Sequence, residues 1–430
     1  HRDLHSFPTR RSSDLEFIDI IEWLEDYLLT SETHLIIYVH NLSYEFQFIR
    51  KWFTWDKVFS MESRKVIYAI TAGGIEFRCS YMLSGYALKK LPDELQKYHV
   101  EKMTGDLNYD LLRHVGTPLN KKELRYCLND ILVVMAYIQE KIEREGDITK
   151  LPLTKTGYVR NYCRNNCYYV TPGHRSKADK KKFGAYRAIM NNLTLCPEEY
   201  GLLKRAFQGG FTHAGAWYSG KLLKKVNSID FTSSYPAVMV AEKFPMSRGK
   251  KVKITDMDTF NRYLKFYCCI FNIEFTGLEA TFPWEHYISA SRCWIKEGVI
   301  TDNGRIVSAN RIVMTITGED LEIIQSTYKY NTMAIGTMYI YQRGYLPTDF
   351  IKSILKLYED KTTLKNVPGK EIEYMQGKEM LNSCYGMTVT DIVRTEYPYD
   401  VDWMEPNEPD INEAINHYNR SKNRFLFYPW

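Results

Sequence analysis

Short apolar runs alternate with helical spacings between Glu16 and about Glu145. Leu35–Val39 is a β-branched run of strand length, and it predicts a buried strand that delivers His40 and Asn41 to its end. Val66–Ile70 and Ile75–Cys79 flank Gly73-Gly74, the pattern of a hairpin. Asn120 followed by Glu123 has the spacing of a capping box, which predicts a helix running to about Arg144. A second patterned region follows Gly209-Gly210. There Val226–Phe231 predicts a strand carrying Asp230, and Pro236 suits the first turn of the next helix. Asp349–Val367 and Lys370–Gly386 predict two helices interrupted at Pro368-Gly369. Together these elements predict a multidomain α/β protein.

The stretch between the two regions, Thr154–Arg205, is basic and turn-rich, with Lys155, Arg160, Arg164, Arg175 and a run from Lys177 to Lys182. Two readings stay open for it: a solvated linker, or a connector that contacts phosphates. A chain of 430 residues with 44% apolar and 14% aromatic content can bury sizeable cores in about two to four domains. The net charge of +5 does not by itself identify a nucleic-acid partner. The 33 tyrosines can stack on bases, but such rings serve packing more often.

Nine cysteines, an odd number without a paired framework, fit a reducing cytoplasm. Cys163 and Cys167 have His174 nearby, yet no second ligand pair at finger-like spacing follows, so ordinary thiols are expected. No run reaches transmembrane length and no secretory leader is read, so a soluble protein without a membrane partner is expected. His1–Leu15 back-translates into a sequencing-library adapter and is set aside from fold reasoning as a non-native arm, which accounts for +1 of the charge. Both ends of the chain are expected to be cut.

Two segments carry the chemistry. The first is Asp230-Phe231-Thr232-Ser233-Ser234-Tyr235-Pro236. A carboxylate at a strand-to-turn junction is a hard oxygen ligand of the kind that divalent cations require in phosphoryl transfer. The second is Lys378-Glu379-Met380-Leu381-Asn382-Ser383-Cys384-Tyr385-Gly386. On a helix, Lys378, Asn382 and Tyr385 stand at i, i+4 and i+7 and share a face. A cation, an amide and an aromatic ring on one face suit a triphosphate, a base edge and the minor groove of a base pair.

These segments resemble motifs A and B of family B DNA polymerases. The resemblance implies that Asp230 is a metal ligand, that Tyr235 lies under the incoming sugar and excludes a 2′-hydroxyl, and that Ser233 and Ser234 face the triphosphate. It implies phosphate contact for Lys378. Tyr358–Thr363 resembles the family's further lysine-bearing helix, making Lys361 a second phosphate contact or a solvated lysine. Asn382 and Tyr385 would line the nascent base pair, with Ser383 and Gly386 against DNA. Phe207-Gln208-Gly209-Gly210-Phe211 resembles the Y-x-G-G/A loop between the exonuclease and polymerase parts, with Phe207 in place of Tyr, and Gly209 and Gly210 let backbone approach a strand. The order of elements is most similar to protein-primed bacteriophage polymerases of the φ29 type. That subgroup has an insertion, whose counterpart here would be Arg292–Gln342 with the stretch Thr315–Leu321.

Exonuclease motifs are similar only in part. His40–Phe46 resembles the second motif, which implies DNA contact by Asn41 and Tyr44, but Glu45 stands where Asp is usual and would be a longer metal ligand. Tyr126–Asp130 matches the third motif, and its i, i+4 spacing puts a phenol and a metal-binding carboxylate on one face, suited to activating water. The first motif would precede Glu16. Ala87–Leu91 resembles a single-strand-binding motif that usually begins with Ser or Thr, and Thr104–Leu107 falls where a catalytic lysine is usual. An inactive exonuclease is expected.

The implied fold is an RNase H-like 3′–5′ exonuclease domain (residues 16–150), a basic connector (151–205), and an incomplete palm-and-fingers polymerase domain (206–430) ending before motif C. The implied activity is template-directed deoxynucleotidyl transfer with Mg2+ or Mn2+. Its partners would be primer-template DNA, deoxynucleoside triphosphates and a terminal protein primer, acting as a monomer in the infected host cell. Two alternatives stand beside it: a metal-dependent nuclease only, and a catalytically incomplete DNA-binding fragment.

Overall fold

The computed structural model describes residues 10–30, 32–60, 64–100, 118–170, 176–212, 218–394, 409–421 and 424–426. Thr104–Leu107, His174 and most of the His1–Leu15 arm lie outside the described residues. The chain divides into two units. One runs up to Tyr158 and takes in Arg394 and Pro409; the other runs from Val159 to Val393 and resumes at Asp410.

The first unit is built on a four-stranded sheet in the order β1-β4-β3-β2. Helix α1 (Arg10–Leu28) precedes strand β1 (Leu35–Val39), and α2 (Leu42–Ile49) follows it. Strands β2 (Trp55–Ser60), β3 (Val66–Thr71) and β4 (Ile75–Cys79) form an antiparallel meander. Strand β1 then pairs parallel with β4, Leu35 opposite Ile75 and Val39 opposite Cys79. The expected hairpin is present, with Gly74 at φ +98°, a conformation natural only to glycine. Leu35, Ile37 and Val39 pack against the core that α1 and α2 make with β3 and β4, around Ile21, Phe46 and Phe77. Tyr38, between them, faces a separate core. That alternation explains why Leu35–Val39 reads as an unbroken apolar run: it is covered on both sides.

The second core joins α3 (Ser80–Ser84), a 3₁₀ turn at Leu88–Glu94 and α4 (Lys121–Glu145). The capping box is formed as expected, Asn120 accepting from the Lys122 and Glu123 amides while Glu123 accepts from the Asn120 amide. Gly146 at φ +80° closes the helix.

The second unit corrects the reading of 151–205 as a turn-rich connector. Three helices occupy it: α5 (Lys155–Tyr168), α6 (Lys177–Asn191) and α7 (Pro197–Ala206). Val159, Cys163, Cys167, Tyr186 and Met190 recur at helical spacing and are buried in one core, while the lysines take the outer face. Cys163 and Cys167 are buried free thiols, as expected. The unit continues with α8 (Ser234–Ala241), β5 (Phe244–Pro245), β6 (Lys250–Val252), α9 (Met257–Phe266), β7 (Tyr267–Ala280), β8 (Cys293–Glu297), β9 (Ile300–Asp302) and β10 (Arg305–Thr317). Then come α10 (Gly318–Thr327), β11 (Tyr328–Lys329), β12 (Thr332–Gly344), α11 (Thr348–Leu364), α12 (Glu371–Thr388) and α13 (Ile411–Arg420).

Its eight-stranded sheet is organised around β7, which pairs antiparallel with β10 on one side and β12 on the other. Phe275 sits opposite Ile312 and Met333, and Phe271, Ile273, Met314 and Ile316 fill the core beneath. Residues 292–342, where the insertion was expected, supply β8, β9, β10 and most of β12. Their strands complete a sheet whose central member starts at Tyr267.

One expected strand is missing. Val226–Phe231 forms no strand, and Leu222, Ile229 and Phe231 are 90%, 90% and 80% exposed. An apolar β-branched run becomes a strand only when a neighbour completes its backbone hydrogen bonds, and no strand pairs with it among the described residues. No described helix is long and apolar enough to cross a membrane.

Candidate active site

Helices α8, α11 and α12 pack together in the second unit because Met239, Phe350, Ile354, Leu357, Leu381, Cys384 and Met387 share one core. With Leu381, Cys384 and Met387 turned inward, Lys378 and Asn382 are exposed on the other side of α12 and Tyr385 is half-buried. The sequence spacing of that face is thus realised. Helix α11 comes close to α12 at Gly377: a Cβ there would lie 3.6 Å from the Lys361 Cα, an ordinary van der Waals contact. This brings Lys361 beside the turn that carries Lys378.

Ser233 begins α8 in the left-handed region, at φ 52° and ψ 50°, and its side chain makes no capping bond. Instead its Oγ accepts a hydrogen bond from Lys361 Nζ at 3.0 Å. The first amides of α8 therefore lack the usual side-chain acceptor, which leaves a helix N-terminus with a cation beside it. Tyr235, in the first turn, stacks on Tyr385 with centroids 4.7 Å apart and planes at 23°. Burial, and secondarily the neighbouring Tyr235, push the Tyr385 phenol up to about 12, so the Tyr385 ring stays a neutral donor at ordinary pH.

Asp230 lies in the exposed segment before α8 rather than at a strand end. Among the described residues no three His, Cys, Asp or Glu side chains gather as a metal-binding group. Asp230 offers one exposed carboxylate, and Mg2+ accepts one or two carboxylates when phosphates and water supply the rest.

The Phe207–Phe211 loop is fixed from several sides, by residues that the sequence did not single out. Arg292 donates to Gln208 Oε1 and, at 2.8 Å, to the Ala206 carbonyl, and pairs at 3.2 Å with Asp320. Asp320 also accepts from Tyr287 and caps α10 through the Thr317 amide. Phe211 stacks on Tyr287 and lies under the Arg305 guanidinium, 4.3 Å from the ring centroid. Phe207 is exposed, and Gly209 has open space where a Cβ would stand. Asp391, just after α12, accepts from Tyr200 and Lys204 on α7. The Thr315–Leu321 pattern was the one signal pointing to this network.

In the first unit Asn41 starts α2 in the left-handed region, at φ 62°, without a side-chain cap bond. His40 Nδ1 meets Ser80 Oγ at 3.1 Å, and burial holds its pKa below the ordinary histidine value. Tyr44 is exposed and packs edge-on against Phe48, and Glu45 is exposed one residue on. Tyr126 and Asp130 share the side of α4 that carries buried Val133 and Tyr137. Burial raises the Asp130 carboxyl above its ordinary value, and a hydrogen bond from Tyr126 opposes the rise. The phenol–carboxylate pair read from the sequence is therefore formed. Glu45 and Asp130 do not fall within a three-ligand group among the described residues.

Residues 78–426 match the family described as DNA polymerase type B, organellar and viral. The DNA polymerase of Bacillus phage Nf is 24% identical over 374 residues, covering 81% of this chain and 58% of that protein. The DNA polymerase of Bacillus phage phi29 is 23% identical over the same shares. The chain thus spans 58% of the length of these curated relatives. Phi29 DNA polymerase complexed with primer-template DNA shares the fold at a TM-score of 0.65, with 15% identity, over 94% of this chain and 69% of that one. Its ternary complex with incoming nucleotide matches at 0.61. A family match over most of the chain makes this protein a member of the type B DNA polymerases of organelles and viruses, and it shares the fold of phi29 DNA polymerase over nearly all of its length.

Proposed function

We propose that this chain is part of a template-directed DNA polymerase. The first unit corresponds to a 3′–5′ exonuclease-like domain, and α8, α11 and α12 to the palm and fingers around an incoming deoxynucleotide. The observation that carries the reading is the Lys361–Ser233 hydrogen bond at the uncapped start of α8, beside the Tyr235–Tyr385 stack. An anion at that N-terminus gains the helix amides and a lysine already in place.

In this reading Lys361 and Lys378 neutralise the triphosphate and Ser233 and Ser234 line it. The ring of Tyr235 packs under the sugar, and Asn382 and Tyr385 border the nascent base pair. A primer 3′-hydroxyl, or a hydroxyl on a terminal protein, attacks the α-phosphorus; its proton is lost and pyrophosphate leaves. Asp230 is the residue here that would hold Mg2+ or Mn2+, which supplies Lewis-acid charge at the phosphate oxygens. Ser383, Gly386, Phe207, Gly209, Asn41 and Tyr44 are proposed DNA contacts.

The test is primer extension by the complete polymerase that carries this sequence, with and without Asp230→Ala. Synthesis that depends on Asp230 supports the reading, and synthesis indifferent to it defeats it. A second reading, DNA binding without turnover by the 430-residue chain, is favoured by an exposed Asp230 that belongs to no three-ligand group among the described residues. Salt-sensitive duplex binding without extension identifies it. The exonuclease is proposed to be inactive, and metal-dependent release of 3′ nucleotides overturns that.

A further inference from the structure

The Phe207–Phe211 loop approaches the Tyr235–Tyr385 stack at Gly210. A Cβ on Gly210 would stand 2.9 Å from the Tyr235 hydroxyl oxygen, with no other non-neighbouring atom within 4 Å among the described residues. Gly210 is not among the residues with positive φ, so its backbone conformation is open to any L residue. What the glycine supplies is room, and the atom using that room is the tip of one phenol.

The other face of that phenol is closed by Tyr385 at 4.7 Å. The loop cannot easily recede, because Arg292 holds Ala206 and Gln208 while Tyr287 and Arg305 hold Phe211. A side chain at 210 must therefore displace the ring of Tyr235, which turns about two soft torsions. A hydroxyl-sensing ring moved by a fraction of an ångström no longer meets the 2′ position in the same way.

We propose that Gly210 is a positioning residue for Tyr235: it fixes how far the phenol extends, and so sets how strongly 2′-deoxy nucleotides are preferred over their 2′-hydroxyl counterparts. The inference rests on the reading of Tyr235 as the group that lies under the sugar.

The experiment is single-nucleotide insertion of dCTP and CTP opposite a template guanine by the complete polymerase, scored as the ratio of the two kcat/KM values. Contacts of the loop with DNA affect both nucleotides alike and cancel in that ratio. Gly210→Ala is expected to lower the ratio on the order of tenfold, the scale of one misplaced methyl group in a sieving pocket. Tyr235→Phe removes the atom that the new methyl strikes, so Gly210→Ala in that background is expected to leave the ratio unchanged. Unfolding midpoints check that each variant folds.

A Gly210→Ala ratio equal to the parent's, while Tyr235→Val loses discrimination, overturns the positioning role and spares the sugar reading. An equal loss in both tyrosine and phenylalanine backgrounds also overturns it. A Tyr235→Val enzyme that still discriminates removes the sugar reading itself, and this inference with it.

Discussion

Lys361 donates a hydrogen bond to Ser233 Oγ at 3.0 Å, and Ser233 is the left-handed residue that opens α8. A long helix and a short one are thereby tied at the residue where the short one starts. Two substitutions separate the tie from the strain. Ser233→Ala loses the acceptor and keeps a Cβ in the left-handed region, whereas Ser233→Gly loses the acceptor and removes the Cβ. Glycine at 233 is expected to be more stable than alanine by about 1 kcal/mol in chemical denaturation. Both are expected to weaken triphosphate binding equally, measured by titration; unequal weakening would mean that the backbone, not the lysine contact, governs the site.

The ion pair of Arg292 and Asp320 is nearly buried. Removing one partner strands the other charge, so Asp320→Ala is expected to cost about 3–5 kcal/mol, part of it from the lost α10 cap. Arg292→Met with Asp320→Leu removes both charges and is expected to cost less than the single change. Equilibrium unfolding of the two variants decides it, and a double variant as costly as Asp320→Ala or costlier would argue against a coupled pair.

Lys141 is only 8% exposed and lies 4.6 Å from the Tyr137 ring centroid. Burial, helped by Arg144, pulls its pKa from 10.5 to about 8 against the opposing pull of Glu94, Glu140 and Glu145. Between those two values the unfolded chain holds a proton that the folded chain has released, so this residue makes stability rise with pH across that window. Lys141→Met is expected to stabilise the protein at neutral pH by about 1–2 kcal/mol. Its advantage over the parent should shrink by pH 9.5, as urea denaturation at the two pH values would register.

A Cβ added at Gly377 would meet the Lys361 backbone at ordinary van der Waals distance. Gly377→Ala fits and is expected to gain about 0.5–1 kcal/mol of helix stability. Gly377→Leu forces α11 away from α12 and is expected to cost about 1–3 kcal/mol. The leucine variant should also bind deoxynucleotide less tightly, because Lys361 moves with its helix; unchanged affinity would sever that link.

Local chemistry made much of this legible. Asn120 with Glu123, Gly73-Gly74 and Pro368-Gly369 each act within a few residues, and the elements they predict are present. Lys378 and Asn382 share an open face because helical periodicity alone decides it. Val226–Phe231 failed for the opposite reason: composition supplies a strand's side chains, but its partner is a tertiary matter. The 177–191 region misleads because the lysines on the outer face of α6 resemble turn composition, although Tyr186 and Met190 mark an inner face. The contact of Gly210 with Tyr235 and the hold of Arg292 on the loop join residues far apart in sequence, and no spacing rule reaches them.

Between Leu222 and Phe231 the apolar side chains of Leu222, Leu223, Val226, Ile229 and Phe231 are exposed and set among Lys221, Lys224 and Lys225, outside any helix or strand. Segments of that description are what holdase chaperones grip on unfinished proteins, and here the grip site belongs to the folded chain. A cell producing these residues would keep treating them as a chaperone client. Yield would then track chaperone supply, and a recombinant preparation would carry its chaperone along until that strip is covered.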